Sequence, residues 1–398
     1  TAGDWVVDRP ATSSQNGSRH KSCIVCGYEL LQETIPATGG GSSGGGSSSG
    51  GSSSSTTTTV KNPDGSTTVT NTNKATGTVT ETIRRPDGSK TVVETKKDGT
   101  ITTTDTAKDG STVKTAVQPD GTSETTVKQT SGLTVSVLEN RSGATADVRL
   151  SARSIQESQN GSVVLPVSPL PGKNTSITFH TGSGRLVPVE IPVNGNSSTT
   201  VACLVNGDGS ETIIKTAVLT GGYITVSIPD GAMVHIRDNR RNFADTRGHW
   251  AKGFIDFVAA RELFSGKTAT DFAPDASMSR AMLATVLARL DGVDASGGTA
   301  YEKGMAWAVS QGISDGRNPE NQVTREQFVV MLHRYAGSPA ATERELHFSD
   351  AEAVSAYARE AVRWAVENGI LSGYQDGSVT PRGKITRAQT AAMLTRYV

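Results

Sequence analysis

The chain has 398 residues, with 39 Lys and Arg balanced by 39 Asp and Glu. That neutrality argues against bulk attraction to nucleic acid or to an anionic membrane, and no run of about eighteen apolar residues is present that could span a bilayer. Only 34% of the residues are apolar and 5% aromatic, so part of the length is not expected to bury a core. The chain opens "TAGDWVVDRP", without an initiator Met or a signal peptide, and reads as the carboxyl-terminal part of a longer or processed protein.

Residues 1–38 form a small module containing "HKSCIVCGYEL". Cys23 and Cys26 have CxxC spacing with His20 nearby, but structural zinc needs four ligands, so a local disulfide or a free thiol pair stands beside the metal reading. No metal or other cofactor is expected. Residues 39–59 are only Gly, Ser and Thr, a flexible linker that cannot order itself by burial.

Glycines at 65, 77, 88, 99, 110 and 121 then mark a repeat of about eleven residues, most of them preceded by Asp as in "RPDGS" and "KKDGT". Asp-Gly favours the φ > 0 positions of a tight hairpin turn, and the Thr- and Val-rich runs between favour strands. Residues 60–131 therefore read as an antiparallel meander, one strand per repeat, serving as a stalk or spacer. Its low apolar content leaves a thin exposed sheet and partial disorder both open. Residues 132–242 carry seven short apolar runs between Gly, Pro and Asn turns, the signature of a β-sandwich or barrel. Cys203 reads as a small core residue there, and His180 and His235 each stand alone in a strand.

From Phe243 the period becomes helical. "MSRAMLATVLARL", "VTREQFVVMLHRY" and "ITRAQTAAMLTRYV" each place an arginine behind a capping Ser or Thr. Thr324 with Gln327 and Thr386 with Gln389 have capping-box spacing, whereas Ser279 lacks the Gln partner. Leu283, Val286, Leu287 and Leu290, and their equivalents after Arg325 and Arg387, form the stripe of a helix packed on a core. A cation in the first turn opposes the helix dipole. An anion would make the arrangement sensible, because free N–H groups and a guanidinium fork together suit a carboxylate or phosphate. Arg280 and Arg387 lie fourteen residues beyond Gly266 and Gly373, but Arg325 only nine beyond Gly316, so the middle copy lacks about five loop residues.

"FADTRGHW…FSGKTATDFAPDASMSRAM" and "FSDAEAVSAY…WAVENGILSGYQDGSVTPRGKITRAQ" resemble S-layer homology (SLH) domains, with an opening F-x-D, an early aromatic, a G-[IL]-x-x-G turn, a D-G-x-x-x-P loop and a T-R-A-[EQ] helix start. The resemblance covers 243–398, divided as 243–292, 293–337 and 348–398. It implies an α-helical pseudo-trimer, following the β-repeat stalk and the β-sandwich-like domain, whose grooves bind secondary cell-wall polysaccharide carrying a pyruvate ketal. By matched position it implies that Arg280, Arg325 and Arg387 hold the ketal carboxylate. Asp245 and Asp350 would hydrogen-bond sugar or fix the loop; Trp250 and Tyr357 would offer a face to the sugar; Gly373 and Gly377 would allow close backbone approach. Trp307 and Trp364, at helical spacing, fit a core better than a ligand surface. The middle copy lacks the F-x-D opening and has Ala300 where the early aromatic belongs, so its groove is expected to be incomplete.

The function this implies is non-covalent anchoring of a secreted surface protein to the cell wall of a Gram-positive bacterium, with no catalysis in these residues and the β-region as spacer. Two alternatives stand beside it: a wall-attached glycosidase or peptidase whose catalytic domain precedes Thr1, and an adhesin whose β-region binds a host or neighbouring-cell ligand.

Overall fold

The computed structural model describes residues 6–9, 17–22, 29–35, 55–158, 161–166, 175–193, 197–342 and 345–398. Two compact units result, one within Thr1–Ser53 and one spanning Ser54–Val398. In the first, strands β1 (Val6–Arg9), β2 (Gly17–Ser22) and β3 (Glu29–Ile35) form an antiparallel sheet in that order. Cys23 and Cys26, and the question of their pairing, lie outside the described residues.

The repeat folds as its turns and strand formers dictate. Strands β4 (Ser55–Lys61), β5 (Thr67–Asn73), β6 (Val79–Arg84), β7 (Lys90–Thr95), β8 (Ile101–Thr106), β9 (Thr112–Val117) and β10 (Ser123–Lys128) pair antiparallel, each with the next. The first strand begins at Ser55, so the last five residues of the expected 39–59 linker are strand instead; their four threonines find a ladder on β5. Only the glycine of each Asp-Gly pair has positive φ, 87° at Gly99, which makes a three-residue hairpin loop rather than the two-residue turn with both φ positive. The aspartate supports the loop differently: Asp98 Oδ1 accepts the Thr100 amide at 2.9 Å, and Asp64, Asp87, Asp109 and Asp120 accept equivalently.

Hydrogen bonds from the Ser or Thr two residues on hold these five carboxyl groups below the ordinary value of 3.8. A depressed folded-state value contributes stability that is present above the ordinary range and lost as pH falls through the depressed one. Carbon-detected NMR titration should therefore place all five midpoints below 3.8; midpoints at or above it would remove the turns from the acid response.

The meander does not stop at residue 131. It continues through β11 (Thr134–Asn140) and β12 (Gly143–Arg149); after helix α1 (Ala152–Gln156) and the two-residue strand β13 (Val163–Val164), β14 (Thr175–His180) joins the sheet parallel to β12. With β15 (Val187–Pro192), β16 (Thr200–Val205), β17 (Glu211–Ile213), β18 (Leu219–Thr220), β19 (Tyr223–Ile228) and β20 (Met233–Asp238) the region forms two sheets. One is thirteen-stranded, β17-β16-β20-β14-β12-β11 and then the whole repeat; the other is four-stranded, β13-β15-β19-β18. Their facing side chains, among them Leu133, Val135, Ile177, Phe179, Val189, Ile191, Ile224 and Ile228, are buried in one cluster. The sandwich is thus one covered end of a long sheet whose other end stays single-layered, because the Thr-rich repeats offer too little apolar surface to recruit a second layer.

Cys203 is buried, and burial pushes its thiol up. His180 and His235 hydrogen-bond to Asp147 and Glu211 at 2.9 and 2.6 Å.

The helical region holds α2 (Lys252–Ala260), α3 (Arg280–Leu290), α4 (Ala300–Ser310), α5 (Arg325–Tyr335), α6 (Arg359–Glu367) and α7 (Arg387–Tyr397) around a second apolar cluster. Pairs α2/α3, α4/α5 and α6/α7 are the three copies. At their centre Met278, Val323 and Ile385, each two residues before its arginine, are fully buried. Their backbones form a closed ring: Met278 N–H donates to Ile385 O, Ile385 N–H to Val323 O, and Val323 N–H to Met278 O, at 2.9–3.0 Å.

The sandwich meets this ring of helices through a small apolar patch, Val201, Cys203, Ile213 and Ala260, and through Arg261, which is 1% exposed. Its guanidinium donates to Ser198 O at 3.1 Å and Ala217 O at 2.6 Å and lies 3.6 Å over the Phe257 ring. Asn239 Nδ2 adds a bond to Ala260 O.

Candidate functional site

The arginine helices begin as their caps require. Ser279, Thr324 and Thr386 accept from the N3 amides of α3, α5 and α7, and Gln327 and Gln389 complete reciprocal boxes. The amides expected to be free for an anion are taken, however. Arg280 N–H donates to Asn321 O and Ala281 N–H to Pro319 O; Arg325 and Glu326 donate to Gly383 O and Pro381 O; Arg387 and Ala388 donate to Ala276 O and Pro274 O. Every acceptor belongs to the loop of the next copy in the ring, so these helix starts are joints between copies.

The arginine side chains follow the same order. Arg387 is 6% exposed; its Nε donates to Phe272 O at 2.8 Å and its Nη2 to Ser265 O at 2.7 Å, with the guanidinium 4.4 Å from the Phe272 ring. Arg325, 4% exposed, donates through Nε to Val379 O at 2.8 Å and through Nη2 to Ser372 O at 3.1 Å. Burial lowers the pKa of both, while neighbouring Asp245 or Asp350 and tyrosines oppose the fall. Arg280 departs from the pattern: its Nη2 reaches Ser314 Oγ at 3.1 Å and Asp315 Oδ1 at 2.7 Å, and its buried Nε has no partner. The cause is the shortened loop. Gly316 stands three residues before Pro319, where Gly266 and Gly373 stand eight before Pro274 and Pro381. The carbonyl equivalent to Phe272 O and Val379 O has gone with the missing residues.

Asp245 and Asp350 fix loops. The Asp245 oxygens accept the Phe272 and Ala273 amides at 2.9 and 2.6 Å; those of Asp350 accept the Val379 and Thr380 amides at 2.7 and 2.8 Å. Ala273 and Thr380 have φ of 59° and 44°, a left-handed conformation that side chains resist and the carboxylates help to hold. Gly373 is needed for packing: a Cβ there would sit 2.8 Å from the Phe348 ring. Gly377 has φ of 78° and closes the turn with its amide on Tyr374 O. Trp364 is buried in the core, with its ring 6.2 Å from that of Tyr397, and Trp307 is partly buried beside Tyr335.

One cleft draws on all three copies. About 260 Å³ in volume, it is walled by Trp250 of the first, Arg325 of the second, and Ser372, Gly373, Tyr374, Gln389, Ala392, Met393 and Arg396 of the third. Trp250 is 61% exposed, Arg325 stacks 4.8 Å from the Tyr374 ring, and Gln389 Nε2 donates to the Tyr374 hydroxyl. Arg325 Nη1 makes no hydrogen bond among the described residues. Two guanidiniums, two aromatic faces and no acid line this space.

Arg396 was not among the expected site residues, although a signal existed. Each first-turn arginine has a second nine residues on: Arg289, Arg334 and Arg396. These hold their own copy's loop, Arg396 Nη1 reaching Ser372 Oγ at 3.2 Å and Arg289 Nη1 reaching Ser265 Oγ at 3.4 Å.

Tyr357 occupies in the third copy the place of Trp250 in the first, and its hydroxyl donates to Glu326 at 3.3 Å. In the middle copy Tyr301, 51% exposed, follows Ala300 and lies in electrostatic range of Arg387 and Arg289. The aromatic thought to be missing there is displaced by one residue.

Residues 242–282 and 347–391 match the S-layer homology domain. The chain thus carries S-layer homology domains in these two segments, and the helix pair α4/α5 closes the ring between them. The domain implies attachment of a surface protein to the cell wall. Among curated proteins the chain is similar to an amylopullulanase of Thermoanaerobacterium thermosulfurigenes, 28% identical over 44% of this chain and 10% of that protein. It is also similar to an exoglucanase of Acetivibrio thermocellus, 27% identical over 38% of this chain and 16% of that protein. A third relative is cell surface glycoprotein 1 of Acetivibrio thermocellus, 29% identical over 31% of this chain and 6% of the relative. The matched part of the chain thus spans a small fraction of each relative's length. Among the described residues no helix is long and apolar enough to cross a membrane.

Proposed function

We propose that this chain anchors a secreted surface protein to the cell wall without a covalent bond, by holding an anionic substituent of secondary cell-wall polysaccharide in the cleft between Trp250 and Tyr374. The observation that carries the reading is the pair Arg325 and Arg396, facing two aromatic rings in a cleft with no acid in its lining. Sugar rings pack on aromatic faces, while a carboxylate such as a pyruvate ketal takes the guanidinium donors that loop carbonyls leave free. Arg387, Asp245 and Asp350 serve by holding the loops that shape the clefts. The thirteen-stranded sheet supports the spacer role, since strands about 4.8 Å apart carry the chain roughly 48 Å from β4 to β20, the last strand before the helices.

Trp250→Ala separates binding from folding, because an exposed ring contributes little to the core. The full chain should sediment with isolated wall sacculi and the variant markedly less, with its melting temperature unchanged. Equal sedimentation of the two would refute this use of the cleft.

A second reading concerns what is anchored. The names of the first two relatives favour a glycoside hydrolase, encoded outside these residues, as the cargo.

A further inference from the structure

The shortened middle loop creates a second cleft of different chemistry. It has a volume of about 640 Å³ and lies between α3, the middle loop and Lys384 of the third copy. Whereas Trp250, Tyr374 and Met393 wall the first cleft, the side chains lining this one are all polar or charged. Arg280, Arg317 and Lys384 face Asp315 as the one acid of the lining. Asp315 already supplies Arg280 with a carboxylate, at 2.7 Å. The side chain of Arg317 is exposed and makes no hydrogen bond or ion pair among the described residues, and Lys384 Nζ meets only the Gln322 carbonyl, at 3.3 Å.

We propose that this cleft is a separate binding site for a phosphodiester-linked polymer. A carboxylated sugar would have to displace Asp315 to reach the Arg280 fork, and would find no aromatic wall to stack on. A chain with charge repeating along its length needs neither. It needs separated cations, for which Lys serves phosphate well as a point charge, and side-chain amides for its hydroxyls, which Asn321 and Gln327 provide. The orphaned Arg280 Nε marks where the lost loop carbonyl leaves a donor unmatched.

The test uses the full chain and immobilised poly(glycerol phosphate), with polygalacturonate and dextran as carboxylate and neutral comparators. The phosphate polymer should bind best, and the double variant Arg317→Gln/Lys384→Gln should weaken it roughly tenfold, as expected from losing two exposed charge pairs. Both positions are solvent-facing, so the fold is retained. Trp250→Ala should leave this binding untouched, which keeps a failure here distinct from a failure of the sacculus experiment. Unchanged affinity in the double variant, polygalacturonate binding as tightly as the phosphate polymer, or preferential capture by phosphatidylglycerol vesicles would each overturn the assignment.

Discussion

Arg325→Ala should sharply reduce sedimentation with wall sacculi and also lower the melting temperature of the helical region. The binding loss follows from removing one of two guanidiniums in a cleft with no acid; one desolvated, charge-assisted contact is worth about 2–3 kcal/mol, or roughly a hundredfold in affinity. The stability loss has another origin. Val379 O loses the donor of a buried bond, which costs about 1–3 kcal/mol, while the exposed Ser372 can turn its carbonyl to water. Arg325→Lys keeps the charge but not the planar fork that reaches both carbonyls, so it should recover part of the binding and little of the stability. A folded Arg325→Ala protein that still sediments would show that the anion sits elsewhere.

Arg261→Met should split a single thermal transition into two. The apolar seam between sandwich and helices has only four buried members, so the contact leans on polar bonds, two from Arg261 to Ser198 O and Ala217 O and one from Asn239 to Ala260 O. Burial without an acid partner lowers the pKa of Arg261 to about 10, and its Nε finds no acceptor. Methionine removes that desolvation cost, which moderates the change in total stability. It also removes both carbonyl bonds, and the coupling goes with them. Calorimetry of the full chain decides: one transition in the parent and two in the variant are expected, and a variant that keeps one transition would assign the coupling to the apolar patch.

Much of this architecture is legible in the sequence because its signals are local. Thr324 with Gln327, and Thr386 with Gln389, cap as their spacing requires, and the Asp-Gly period yields one strand per repeat. What escapes is what depends on closure in space. Nothing around Arg387 indicates that Ser265 O and Phe272 O, more than a hundred residues earlier, accept its side chain, so a first-turn cation reads as waiting for a ligand. Arg325 holds a loop in the same way and also lines the cleft. Arg261 is invisible for the same reason: an Arg at the end of an amphipathic helix reads as solvated until the sandwich is placed over it. The end of the linker is not legible in composition, since Thr56 to Thr59 look like their Ser and Gly neighbours until a partner strand is present.

The order in which the copies hold one another bears on how the molecule comes to be made. Copy one grips the loop of copy two, two grips three, and three returns to one through Arg387. A nascent chain therefore cannot complete its first loop until its final helix has left the ribosome. Until then the first unit lacks its clasp, and arrival of the last helix locks all three together.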